Sequence, residues 1–218
     1  MSVHLRPEEI EAESFRIIDA EVGPHTWPPG EWQVVRRAIH TTADFDYSRT
    51  MVFSPDAVAR GIAAMLRSRG IFTDTAMALA GINKRLSRLF NTPLSSCVAD
   101  PDVVEEAARA GITRSIVAMR KGASTPENGI FVIGNAPTAL FELLRLVREE
   151  GLQPNLVIGL PVGFVGAEES KEQLIREAGP RGIPFITNRG RKGGSNVAAA
   201  VVNALLLMAD RGNGEKKP

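Results

Sequence analysis

Three short apolar runs in the second half of the chain, each followed by a glycine-containing loop and a helical stretch, constrain the fold most strongly. The predicted strands are Ile130–Ile133, Leu156–Leu160 and Pro184–Thr187, and the predicted helices are Thr138–Glu150, Glu168–Ala178 and Asn196–Ala209. Apolar runs of this length are typical of strands buried on both faces of a parallel sheet. Repeated strand–loop–helix units predict parallel strands with right-handed crossovers and helices on both faces.

The first half of the chain has a mainly helical pattern. We predict helices over 7–21, over 31–39 with His40 at the end, over 57–69 with Ser54 as N-cap and Pro55 at the first position, and over 76–90, with a strand at 71–73. Further helices are predicted at 103–110 and after Thr113, with a surface loop at 120–128. The predicted fold class is therefore α/β, a mostly parallel sheet in a three-layer α/β/α arrangement with a helical N-terminal segment.

Composition excludes several classes of protein. Hydrophobic residues make up 44% and charged residues 23% of the chain, as in globular proteins, and the net charge of +1 disfavours a nucleic-acid binder. Neither a signal peptide nor a membrane span is evident, so we expect a cytoplasmic protein. Residues 1–210 are predicted to form a single domain and 211–218 a flexible tail. Cys97 is expected to be a small buried residue in a strand.

Anion binding is one chemistry that the loops suggest. The loops of a parallel sheet meet at its carboxyl edge, where ligands bind in open α/β folds. The segment Arg189–Ser195 adds cations and glycines before a helix N-terminus, a combination that favours anions, although the glycines can equally serve tight turns. Neither a Walker motif nor a dinucleotide fingerprint is present. No group of acidic, histidine and cysteine residues has metal-ligand spacing, so no metal site is expected.

His40 is the strongest candidate among the histidines for acid–base chemistry. Arg36 and Arg37 lie four and three residues before it on the same helix face, and Asp44 and Asp46 follow it. A histidine in such surroundings can act as a general acid or base near neutral pH. Spacing alone favours the simpler interpretation, in which a histidine at a helix end only complements the helix dipole.

Several long motifs resemble the cobalt-precorrin-8 (precorrin-8X) methylmutase family. Among them are His-Thr-Thr-Ala-Asp-Phe-Asp at 40–46 and Gly-Arg-Lys-Gly-Gly-Ser-Asn at 190–196. The other matching segments are 11–15, 37–39, 73–85, 111–115, 133–140, 161–171 and Val197, so the resemblance extends over nearly the whole chain. The sequences of the two quoted motifs are closer to those of the cobalt-dependent branch of this family.

The resemblance implies a homodimeric isomerase of cobalamin biosynthesis that moves a methyl group from C11 to C12 of a corrinoid, giving cobyrinate or hydrogenobyrinate. The essential histidine of the family matches His40, and two substrate-contacting residues of the family match Ser14 and Arg37. We add further candidate contacts from motif and chemistry: Thr41, Asn83, Lys84, Arg114, Asn135, Arg191, Lys192, Gly193, Gly194 and Ser195. No cofactor is implied, because any cobalt is carried by the substrate, and no nucleic-acid or membrane partner is expected.

Two alternatives from other classes remain open on sequence grounds. A non-catalytic corrinoid carrier would bind the product without isomerising the substrate. A phosphate- or nucleotide-binding transferase would use the glycine-rich loops, but both nucleotide fingerprints are missing.

Overall fold

A six-stranded sheet runs through the centre of the protein, whose computed structural model describes residues 6–214. The strands are β1 (Met51–Phe53), β2 (Gly70–Thr73), β3 (Leu94–Ser95), β4 (Asn128–Ile133), β5 (Leu156–Gly159) and β6 (Phe185–Asn188). They lie side by side in the order β1-β6-β5-β4-β2-β3, and every neighbouring pair is parallel except β1 and β6. The predicted α/β class with a mostly parallel sheet is confirmed.

Helices cover both faces of this sheet. Those in the first half of the chain are α1 (Pro7–Val22), α2 (Pro29–Thr42), α3 (Tyr47–Thr50), α4 (Ala57–Leu66), α5 (Ala76–Gly81) and α6 (Lys84–Leu89). Those that follow are α7 (Pro101–Ala110), α8 (Arg114–Ala123), α9 (Pro137–Glu149), α10 (Ala167–Ala178) and α11 (Ser195–Gly214), with a 3-10 turn at Gly179–Arg181. The three predicted crossover helices correspond to α9, α10 and α11.

Alternation along the strands divides the core between the two faces. In β4, Ile130 and Val132 face a cluster with α2, α4 and α11, whereas Phe131 and Ile133 face a cluster with α8, α9 and α10. All four side chains are fully buried. Both faces of the strand are therefore apolar, which is why the sequence shows a continuous hydrophobic run there.

The structure corrects the predicted start of the helix at residue 54. Met51–Phe53 forms β1, which pairs antiparallel with β6. Ser54 extends this pairing instead of capping a helix, because its Oγ accepts from the Phe185 N–H at 2.9 Å. The helix α4 begins only at Ala57 and ends at Leu66, before the predicted end at Arg69.

Two other predicted boundaries were wrong for local reasons. The helix predicted over 76–90 is broken, because Ile82 is extended and the Asn83 side chain caps α6 by accepting from the Leu86 N–H. The loop predicted over 120–128 is shorter, since α8 continues through Ala123 and β4 begins at Asn128.

Smaller differences concern Cys97 and the chain ends. Cys97 lies after the two-residue strand β3 and is only partly buried. The helix α11 continues to Gly214, so the first part of the predicted tail is helical, and residues 215–218 lie outside the described part, as does His4. No helix within residues 6–214 is long and apolar enough to cross a membrane.

Gly134, at the end of β4, allows the start of α11 to approach the sheet. A Cβ at this position would lie 2.7 Å from the Cα of Ser195, and backbone cannot move aside as a side chain can. We expect Gly134→Ala to lower the free energy of unfolding by about 1–3 kcal/mol, measured by urea denaturation. Gly179→Ala is the matched control, because nothing lies within 4 Å of its added Cβ. Equal stability of the two variants would contradict the close packing.

Candidate active site

Loops from four strands meet at the carboxyl edge of the sheet. They follow β2, β4, β5 and β6, and their residues are 74–75, 134–136, 160–166 and 189–194. Across this edge the hydroxyl groups of Thr75 and Ser195 lie 2.8 Å apart. The arrangement is the ligand-binding edge expected of a parallel α/β sheet.

Asp74 organises the loop that follows β4. Its carboxylate is 2% exposed and accepts the backbone N–H groups of Gly134, Asn135 and Ala136 at 2.8–2.9 Å. Burial raises the pKa of Asp74 and the three N–H donors oppose that rise. The exposed Asn135, a predicted contact, therefore sits on a fixed backbone.

Lys171 on α10 holds the loop that follows β6. Its side chain is fully buried, and its ammonium group donates to Asn188 Oδ1 at 3.2 Å and to the Lys192 carbonyl at 2.7 Å. Burial lowers the pKa of Lys171 to about 8. Burying a cation whose hydrogen-bond acceptors are neutral costs free energy. We infer that the role of Lys171 is to position this loop.

Lys192 joins this loop to the end of α2. Its ammonium group contacts the carboxylates of Asp44 and Asp46, each at 2.6 Å. The same contact holds the pKa of Asp44 below its ordinary value. Because Asp44 follows His40 by a single turn, this ion pair brings the His40 segment to the carboxyl edge of the sheet.

His40 lies at the mouth of a pocket formed by α1 and α2. The pocket has a volume of about 250 Å³, and it is lined by Ser14, Ile17, Ile18, Glu21, Ile39, His40, Ala43 and Phe45. The His40 side chain is exposed, and its ring meets the Phe15 ring edge-on at 5.3 Å. The helix continues past His40 to Thr42, so His40 lies within the last turn. Ser14 and His40, both predicted site residues, thus line the same pocket.

Arg37 lines a neighbouring pocket of about 360 Å³ that Phe15 also borders. Its guanidinium group lies 4.9 Å from the Phe15 centroid and donates to the Glu11 carboxylate. This bond holds the pKa of Glu11 below its ordinary value. Arg36 also lies over Phe15, at 4.3 Å, and pairs with Asp19. Phe15 therefore connects the two arginines with His40.

The other predicted contacts have diverse surroundings. The Asn83 side chain caps α6, and the Asn83 backbone N–H donates to the Asn203 side chain at 2.7 Å. Both groups therefore form hydrogen bonds within the protein. Thr41, Lys84 and Arg114 are exposed. Gly193 and Gly194 form the turn before α11, where the Gly194 N–H donates to the Leu160 carbonyl. Their part in substrate binding stays a prediction.

Sequence reasoning missed Asp74 and Lys171. Asp74 could have been found, because it directly follows a predicted strand at the edge where polar side chains gather. Lys171 occupies the buried face of α10 with Ala167, Leu174 and Ala178, and this helical spacing identifies an inward-facing lysine. Among residues 6–214, no three His, Cys, Asp or Glu side chains are placed to hold a metal ion.

Fold and site together define a three-layer α/β protein with an exposed histidine that lines a small pocket near the carboxyl edge of the sheet. A profile of the precorrin-8X methylmutase (CbiC) family matches residues 9–208. A cobalt-precorrin-8 methylmutase of Priestia megaterium is 46% identical over 208 residues, 95% of this chain and 91% of that protein. One from Salmonella typhimurium is 46% identical over 92% of this chain and 95% of its own length.

A solved structure, the precorrin-8x methyl mutase of Thermus thermophilus, gives a TM-score of 0.86 at 40% identity and covers 94% of this chain and 97% of that one. The chain therefore belongs to the precorrin-8X methylmutase family, whose members are isomerases. The family resemblance of the sequence motifs and the prediction of an isomerase are confirmed.

Lys171 generates a pH-dependent prediction. Because its folded pKa is about 8 and its unfolded pKa is about 10.5, the unfolded chain binds more protons between these values. The wild-type protein should therefore gain stability relative to Lys171→Met as pH rises from 7 to 10, by about 2 kcal/mol. Urea unfolding of both proteins at the two pH values measures this change. A difference that stays constant with pH would contradict the buried ammonium.

Proposed function

We propose that this protein catalyses the methyl shift from C11 to C12 of precorrin-8X or cobalt-precorrin-8 in cobalamin biosynthesis, giving hydrogenobyrinate or cobyrinate. His40 acts as the general acid and base. The observation that carries this proposal is the position of His40, exposed beside Ser14 at the pocket mouth and in contact with Phe15. An exposed imidazole at a pocket of this kind can reach a ligand without first moving a covering element.

The chemistry required of the protein is limited. The methyl group leaves C11 with its bonding electrons and forms a bond to C12, while double bonds of the ring shift. His40 donates a proton to the conjugated system as the methyl moves and takes one back afterwards, so product and substrate have the same atoms. Since no electrons enter or leave, the proposed reaction requires no redox cofactor, and the protein supplies proton placement and a fixed ring geometry.

The charges around the site suit a carboxylate-fringed substrate. Arg191 and Arg114 are exposed, whereas the Lys192 ammonium group is paired with Asp44 and Asp46. Arginine binds carboxylates through paired N–H donors. The relatives at 46% identity are named cobalt-precorrin-8 methylmutases, which favours a substrate that carries cobalt. A homodimer, a cytoplasmic location, and the absence of nucleic-acid and membrane partners belong to the same proposal.

His40→Ala tests the catalytic role. We expect the rate of conversion of cobalt-precorrin-8, followed by its absorbance spectrum, to fall by about 100- to 10,000-fold, because a positioned acid–base group contributes on that order. Binding of the cobyrinate product should persist, since the fold and the other contacts are unchanged.

His25→Ala provides the matched control, because His25 is exposed and stacks on Trp32 at 4.0 Å outside the His40 pocket. It should keep near-normal turnover. A His40→Ala protein with wild-type turnover would disprove the acid–base role. A wild-type protein that binds cobyrinate but leaves cobalt-precorrin-8 unchanged would instead indicate a corrinoid carrier.

A further inference from the structure

The loop after β5 presents apolar side chains to solvent at the carboxyl edge of the sheet. Phe164 is 84% exposed and Val165 is 89% exposed, and Val162 beside them is 42% exposed. Among the large hydrophobic residues of the described chain, Phe164 and Val165 are the two most exposed. An apolar group of this kind next to a candidate site is typical of a binding surface.

Backbone hydrogen bonds hold this loop against the loop that follows β6. The Gly163 N–H donates to the Arg191 carbonyl at 3.2 Å, and the Gly194 N–H donates to the Leu160 carbonyl at 2.9 Å. At the far end of the loop, Gly166 is the N-cap residue of α10 and lies against Phe141 and Pro137. Phe164 is therefore carried by a backbone that is fixed on both sides.

Arg191 gives this surface a charge. Its guanidinium carbon lies 5.6 Å from the centroid of the Phe164 ring. Arg189 pairs with Glu172 and Lys192 pairs with Asp44 and Asp46, whereas Arg191 forms no ion pair with any residue from 6 to 214. Phe164 and Arg191 thus combine an exposed aromatic ring with a cation that is available for an anion.

We propose that Phe164 and Arg191 form a substrate-binding contact in which the Phe164 ring packs on the apolar face of the corrinoid and Arg191 binds a carboxylate at its rim. This inference rests on the proposed function and adds Phe164 to its site. A flat macrocycle fringed with carboxylates matches both halves of the contact, because aromatic rings stack on apolar planes and guanidinium groups pair with carboxylates. The Lys192 ion pair joins the loop that carries Arg191 to Asp44, four residues after His40.

Calorimetric titration with cobyrinic acid, and with its methyl ester, tests the contact in the full-length protein. Phe164→Ala should weaken binding of both ligands by about tenfold, and Phe164→Trp should restore it. Arg191→Ala should weaken binding of the acid by about tenfold but hardly change binding of the ester, because only the acid carries the partner charge. Leu66→Ala and Arg181→Ala, which lie toward the opposite edge of the sheet, are controls and should bind both ligands as the wild type does.

Sedimentation velocity separates ligand binding from subunit association. We expect Phe164→Ala to keep the particle size of the wild-type protein. Weaker binding accompanied by a smaller particle would overturn the inference, because Phe164 would then act between subunits. Wild-type affinity in Phe164→Ala would overturn the inference alone, whereas a wild-type protein that binds no cobyrinic acid would overturn the proposed function as well.

Discussion

Gly193 lies so close to the end of β5 that a Cβ in its place would come within 2.3 Å of the Leu160 carbonyl oxygen. This approach, with that of Gly134 to Ser195, lets the last helix begin directly at the carboxyl edge and lie on the sheet. The helix α11 then packs against α2, α4 and α5. Because α2 carries His40, the position of the candidate acid–base group depends on two glycines, Gly134 and Gly193.

Charged groups complete the connection between segments that are far apart in sequence. The Lys171 ammonium group donates a hydrogen bond to the Lys192 carbonyl, and the Lys192 ammonium group binds Asp44 and Asp46 near the end of α2. Asp74 holds the neighbouring loop through three backbone N–H groups. The Lys192 ion pair is exposed and contributes little to stability, so its role, like that of the buried hydrogen bonds of Asp74 and Lys171, is to add the geometric precision that a site for ring chemistry requires.

The parallel core could be predicted because Ile130–Ile133 and the two later strands are buried on both faces and read as continuous apolar runs. The strand β1 could not, since it has three residues and pairs with a strand more than a hundred residues later. The break at Ile82 combines the local N-cap that the Asn83 side chain provides with a hydrogen bond from the Asn83 N–H to α11, and this second, tertiary contact is not shown by the local pattern.

The site was predictable to a different degree. His40 was an ordinary helix-end histidine by spacing, and the family motifs singled it out. Its contact with Phe15 and the charges that surround that ring come from the crossing of α1 and α2. Phe164 was hidden because an apolar residue in a loop has no spacing signal, and only its exposure beside Arg191 reveals it.

A crystal structure of the protein with bound cobyrinate tests the account most directly. We predict that the ring lies at the carboxyl edge of the sheet. A His40 nitrogen should reach the C11–C12 region either directly, at hydrogen-bond distance, or through one water molecule. A ring seated on the outer face of α8 and α9, or one whose C11–C12 edge points away from His40, would contradict it.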